Sequence, residues 1–208
     1  MGDRALRRFR AVLLDMDGTL VDSDAAVERA WIAWAAESGV PAAEILPRMH
    51  GNPAPTTIRA VRPDLTDDGV TVAAARQLEL QYTDLDDVVA TPGAERLLVA
   101  LKELELPWAV VTSADRRLAL ARLGAAGIEP PMLVTVEETE RGKPHPDPYL
   151  TAAARLGVDP GDCLVVEDSQ PGIDAGRAAG CTVAALRGLD ADVRLHDLGD
   201  LADLLTPQ

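Results

Sequence analysis

Large rings are scarce in this sequence: three Trp, two Tyr and one Phe make up 3% of its 208 residues. Any core must therefore be packed from Ala, Val and Leu. Only two cysteines occur, Cys163 and Cys181. They sit in apolar, strand-like runs without metal-ligand spacing, too few for a disulfide framework, and read as small buried hydrophobes. No apolar run approaches the roughly 18 residues needed to span a bilayer. Basic residues are also in deficit, 20 Lys and Arg against 34 Asp and Glu, for a net charge of −14. An acidic chain lacks the clustered cations that a nucleic-acid backbone demands, so no nucleic acid and no membrane are expected as partners. The opening MGDRALRRFRAVLLDMDG is basic and then apolar, but the apolar stretch AVLL ends at Asp15 with no small-residue cleavage site. It is read as part of the domain rather than as a signal peptide, and a cytoplasmic protein is expected. Lysine is scarcest among the cations: Lys102 and Lys143 stand against 18 Arg. Lys102 lies in an ordinary exposed helix pattern, whereas Lys143, within RGKPHPDP, suggests a place where a compact ammonium is wanted.

What is present is ample for a globular fold, with 47% hydrophobic and 26% charged residues. The apolar run Arg10–Asp15 reads as a buried strand. From Asp22 to about Val89 the pattern is helical throughout, with Trp31, Trp34 and Ala35 on one face of a first helix that stops at Gly39-Val40-Pro41. Further helices are predicted over Ala42–Met49, Thr56–Val61 and from Thr66 to about Tyr82. Beyond Thr91-Pro92-Gly93, strands alternate with helices: strands at Trp108–Thr112, Met132–Val136, Cys163–Val166 and Thr182–Leu186, and a weak last unit in ADVRLHDLGDLADLL. That alternation predicts an α/β fold, a parallel sheet covered on both faces and interrupted by a helical insertion.

Four polar clusters fall at the carboxyl ends of these strands: DMDGTLVDS, TSAD, ERGKPHPD and EDSQPG. Open α/β sheets bind ligands there. Asp15 and Asp17, two apart, would repel unless a cation intervened, and Asp168, preceded by Glu167, adds acid at another strand end. Oxygen ligands without Cys or His suit a hard ion such as Mg²⁺. Acids at strand ends also cap helices and solvate turns, but the joint pattern of two aspartates, a hydroxyl pair, one lysine and a second acidic pair argues for chemistry.

In these four segments the chain resembles the haloacid dehalogenase-like hydrolase superfamily, from about Val12 to Leu186. DMDGTLVDS is similar to its first motif, VVTSA to the second, GKPHPDPYL to the third and VVEDSQPGIDAG to the fourth. The resemblance implies a Rossmann-like core of strand order 3-2-1-4-5 formed by residues 1–21 and 91–208, with a small α-helical cap over residues 22–90. It implies Asp15 as nucleophile and Asp17 as general acid/base. Thr112, Ser113 and Lys143 would bind the phosphoryl group, and Mg²⁺ would be held by Asp15, Asp168 and the backbone carbonyl of Asp17, with Glu167 beside it. True dehalogenases of the superfamily lack an acid at the Asp17 position, because halide leaves without a proton. Phosphoryl transfer is therefore expected.

Within the insertion, RMHGNPAPTTI resembles the cap loop of sugar-phosphate phosphatases of the 2-deoxyglucose-6-phosphatase and glycerol-3-phosphatase type, which points to His50, Gly51 and Asn52 as substrate contacts. The chain departs from that group at Asn52 and Thr56, where relatives often carry Arg and Asp. The expected activity is Mg²⁺-dependent hydrolysis of a small phosphorylated metabolite, a sugar or polyol phosphate, by a monomer or a dimer. The alternatives are a β-phosphoglucomutase-like mutase, a phosphoglycolate or nucleotide phosphatase, and a non-catalytic binding module. Ala54 stands where the resembling mutases carry the cap arginine that grips a second phosphate, which favours hydrolysis over the mutase.

Overall fold

The computed structural model describes residues 9–49, 53–83 and 85–206. The chain divides into two units, one formed by the chain up to Asp22 together with the chain from Val89 onward, the other by Ser23–Val88. In chain order the strands are β1 (Ala11–Leu14), β2 (Val21–Asp22), β3 (Val89–Ala90), β4 (Trp108–Val111), β5 (Leu133–Val134), β6 (Cys163–Glu167), β7 (Thr182–Ala185) and β8 (Val193–Arg194). The helices of the second unit are α1 (Asp24–Ser38), α2 (Ala42–Ile45), α3 (Ala54–Val61) and α4 (Asp67–Gln81). Those of the first are α5 (Ala94–Glu103), α6 (Arg116–Ala125), α7 (Asp147–Leu156), α8 (Gln170–Ala178) and α9 (Leu198–Leu205).

The first unit is built on a six-stranded parallel sheet in the order β5-β4-β1-β6-β7-β8. Its five leading strands follow the expected 3-2-1-4-5, and β8 adds a short edge. Strands β1 and β6 are buried at every residue, which is why neither shows the polar alternation of a one-sided sheet. Small residues on the covering helices, among them Ala152, Ala153 and Ala175, pack with Leu13, Val111 and Val165 in one cluster whose one large ring is Tyr149. The core is thus an aliphatic one, as the scarcity of aromatics requires. In the second unit, Trp31 and Trp34 meet edge to face with centroids 5.7 Å apart, and Trp34 Nε1 donates to the Ala73 carbonyl at 3.0 Å. Both rings are buried with Ile45, Ile58 and Val70.

The boundaries differ from the sequence pattern where local chemistry cuts an element short. Helix α2 ends at Ile45 and continues as a 3₁₀ turn over Leu46–Arg48, because Pro47 has no N–H to extend the α-helical ladder. Strand β5 is only two residues, since Thr135 begins a capping box with Glu138. The helical run expected from Asp22 is bounded by a two-residue antiparallel ladder, Val21 with Ala90 and Asp22 with Val89, too short to leave a period in the sequence. Among the described residues no helix is long and apolar enough to cross a membrane.

Leu13 lies at the middle of the central strand and is fully buried. Truncation leaves a cavity between helices and sheet, so Leu13→Ala should lower unfolding free energy in urea by about 2–5 kcal/mol. Val99→Ala, at a half-exposed helix position, should stay within about 0.5 kcal/mol. Equal effects would mean that the sheet does not form the core described.

Candidate active site

Parallel pairing aligns the carboxyl ends of three neighbouring strands. Leu14 is in register with Val110 on β4 and with Val166 on β6, and the Asp15 N–H donates to the Val166 carbonyl at 3.0 Å. Asp15, the Val111 carbonyl and Glu167 therefore emerge at one end of the sheet. Lys143 reaches them from the loop before α7. Its Nζ donates to Asp15 Oδ1 at 2.6 Å, to Glu167 Oε1 at 2.6 Å and to the Val111 carbonyl at 2.9 Å. An ammonium has three N–H donors, and each has an acceptor here. Tyr149 lies beneath, its ring centroid 5.1 Å from Nζ.

Glu167 is fully buried and anchors the cluster. Oε1 accepts from Lys143 and from Tyr149 Oη at 2.6 Å, while Oε2 accepts from Ser169 Oγ and from the N–H groups of Asp168 and Ser169. Five donors satisfy the buried carboxyl oxygens in so dry a place. Gly172 leaves room for it: a Cβ there would sit 1.8 Å from Glu167 Oε1. Burial works against the charge on Lys143, but Asp15 and Glu167 outweigh it and push the ammonium above its usual range. Burial likewise raises Asp15, with Glu167 and Asp168 pushing the same way and Lys143 opposing. Burial and the neighbouring acids raise Tyr149, which keeps its proton and stays a donor.

Asp168 flanks the cluster, its Oδ2 2.9 Å from Arg187 Nε. Gly18, at φ +78°, passes so close that a Cβ would lie 2.0 Å from Asp168 Oδ2; only glycine fits this turn. Asp17 sits in the tight turn after β1, where the Met16 carbonyl accepts from Thr19, Leu20 and Val21. Its Oδ1 is 2.8 Å from Nη1 of the buried Arg122. Thr112 is buried at the end of β4, its Oγ1 accepting from the Ala114 N–H at 3.0 Å, and Ser113 beside it is exposed.

One oxygen from each of Asp15, Glu167 and Asp168 lies within 4.8 Å of the others. The set is all oxygen, without Cys or His, and so fits a hard cation rather than a soft one. Asp15, Asp17, Thr112, Ser113, Glu167 and Asp168 lie at or just beyond the carboxyl ends of β1, β4 and β6, and Lys143 lies in the loop before α7. His50, Gly51 and Asn52 lie outside the described residues. Three participants were not singled out from sequence. Tyr149 reads as a core residue of α7 because it shares a face with Ala152 and Ala153. Arg122 carried a usable signal, an arginine on the otherwise apolar stripe of Leu118, Ala119 and Leu123. Arg187 carried none.

The family model described as haloacid dehalogenase-like hydrolase matches residues 9–180. Hexitol phosphatase A of Escherichia coli (strain K12) is 40% identical over 192 residues, covering 92% of this chain and 89% of that protein. The 2-deoxyglucose-6-phosphate phosphatase 1 of Saccharomyces cerevisiae (strain ATCC 204508 / S288c) is 33% identical over 90% of this chain and 83% of its own. Among solved structures, a hydrolase from Pseudomonas syringae superposes with a TM-score of 0.81 at 25% identity, over 93% of this chain and 96% of that one. The chain belongs to the haloacid dehalogenase-like hydrolase family. It is an enzyme, in the phosphatase branch of that family.

Tyr149→Phe removes one donor from the buried Glu167 carboxylate without changing ring packing. Urea unfolding should show a loss of about 1–3 kcal/mol. An unchanged midpoint would mean that Glu167 does not depend on this bond.

Proposed function

We propose that the protein is a Mg²⁺-dependent phosphomonoesterase acting on small sugar or polyol phosphates through an aspartyl-phosphate on Asp15. The observation that carries the reading is the Lys143 ammonium bonded to Asp15, next to the all-oxygen cluster of Asp15, Glu167 and Asp168. A phosphate dianion approaching a carboxylate is repelled, and a fixed cation at the nucleophile offsets that repulsion. Mg²⁺, held by Asp15, Asp168 and the Asp17 carbonyl, would neutralise further charge on the phosphoryl oxygens. Glu167 is given a supporting part, holding Lys143 in place.

In the first step an Asp15 carboxylate oxygen attacks phosphorus, the phosphorus–oxygen ester bond breaks, and Asp17 gives its proton to the departing alcohol. In the second, Asp17 takes a proton from water as that water attacks phosphorus; the Asp15 carboxylate leaves and inorganic phosphate is released. Thr112 and Ser113 hold phosphoryl oxygens throughout. The relatives named for hexitol and 2-deoxyglucose 6-phosphate support a sugar or polyol ester as substrate, and the choice among such esters is assigned to His50, Gly51 and Asn52. We place the enzyme in the cytoplasm, as a monomer or dimer, with no nucleic-acid or membrane partner.

Hydrolysis of 4-nitrophenyl phosphate should require added Mg²⁺, stop with chelator and return with Mg²⁺, and Mg²⁺ should raise the melting temperature of the free enzyme. Asp15→Asn should retain less than about 1% of wild-type turnover with the fold intact by circular dichroism. Substantial residual hydrolysis would remove Asp15 from the role of nucleophile. On β-glucose 1-phosphate, phosphorus NMR should show inorganic phosphate; conversion to glucose 6-phosphate without it would establish a mutase instead.

A further inference from the structure

Arg122 occupies an unexpected place. Helix α6 buries Leu118, Ala119, Arg122 and Leu123 on one stripe, so a guanidinium stands where the pattern asks for an aliphatic side chain. Its side chain is 3% exposed. Burying a guanidinium is unfavourable unless it finds an opposite charge, and an aliphatic residue of similar volume would serve packing at least as well. Stability of the helix does not account for it. The carboxylate it meets is Asp17, at 2.8 Å, on a different element and 31% exposed.

Asp17 itself needs holding. Its backbone is fixed by the turn after β1 and by a bridge to Val21, but those bonds leave two side-chain torsions to be set. A group that must present the same carboxylate to the leaving oxygen and then to water loses efficiency with every rotamer it samples. A buried, planar guanidinium is suited to setting them, because packing on α6 holds the guanidinium itself.

We propose that Arg122 is a positioning residue for proton transfer: by holding Asp17 Oδ1 it aims the carboxyl group, whose Oδ2 carries the proton in the first step, toward the leaving-group oxygen. This rests on the reading of Asp17 as general acid, and acts on one chemical event, protonation of the alcohol as the ester bond breaks. Its loss should be felt in proportion to how much the leaving group needs that proton.

The test compares benzyl phosphate, whose alkoxide leaves poorly, with 4-nitrophenyl phosphate, whose phenolate leaves largely unaided. The ratio of the two kcat/KM values cancels the amount of folded enzyme in any preparation and reports the step that breaks the ester bond. For Arg122→Met the ratio of benzyl to nitrophenyl should fall at least about tenfold, in the same direction as for Asp17→Asn. Arg122→Lys, which keeps the charge, should recover part of it. If Asp17→Asn shifts the ratio and Arg122→Met leaves it at the wild-type value, the positioning role is wrong and the reading of Asp17 stands. If Arg122→Lys recovers nothing, a cation at this place is not what holds Asp17, and the proposal also falls. If Asp17→Asn itself leaves the ratio unchanged, the general-acid reading fails and takes the proposal with it.

Discussion

The Lys143 ammonium has three N–H donors, and each is taken at the carboxyl end of a different strand: Asp15 after β1, the Val111 carbonyl at the end of β4, Glu167 at the end of β6. Sheet order makes this possible. With β1 between β4 and β6, one cation suspended above the central strand is within reach of all three. An arginine could not replace it, because a planar fork cannot point donors at three acceptors spread around one point. This explains why a chain with 18 arginines keeps a lysine here.

The arrangement is expensive in free energy, since two buried acids and a buried ammonium are withdrawn from water. Glu167 offsets part of that cost by accepting five hydrogen bonds, and Gly172 gives it the room. Such a cluster is poorly explained as a stabilising device, because aliphatic residues would pack the same volume without desolvating charges. Under the proposed function it is a set of groups held ready for a doubly charged substrate and a hard cation. Arg122 on its apolar stripe is a second such charge. In both cases a charge sits where packing alone would put a hydrocarbon.

Much of this was legible in the sequence, for identifiable reasons. Buried parallel strands announce themselves as short apolar runs, and polar clusters following VLL, WAVV and CLVV mark the sheet end where the Lys143 cluster forms. The scarcity of lysine singles out Lys143 from composition alone. Other features left no pattern. The ladder of Val21–Asp22 with Val89–Ala90 is two residues long and has no period to detect. Tyr149 shares the apolar face of α7 with Ala152 and Ala153, so composition describes it as core; only its hydroxyl, 2.6 Å from Glu167, shows the second task. The Asp168–Arg187 pair joins residues from the ends of adjacent strands β6 and β7, a proximity set by strand pairing rather than by spacing.

Covalent capture at Asp15 would test the account at its centre. Enzyme quenched during turnover of a phosphomonoester and treated with borohydride would have any aspartyl-phosphate reduced to homoserine, and peptide mass spectrometry would locate it. Homoserine is expected at position 15, dependent on substrate and absent without it. Homoserine at another aspartate, or unmodified Asp15 under conditions where the intermediate accumulates, would contradict it.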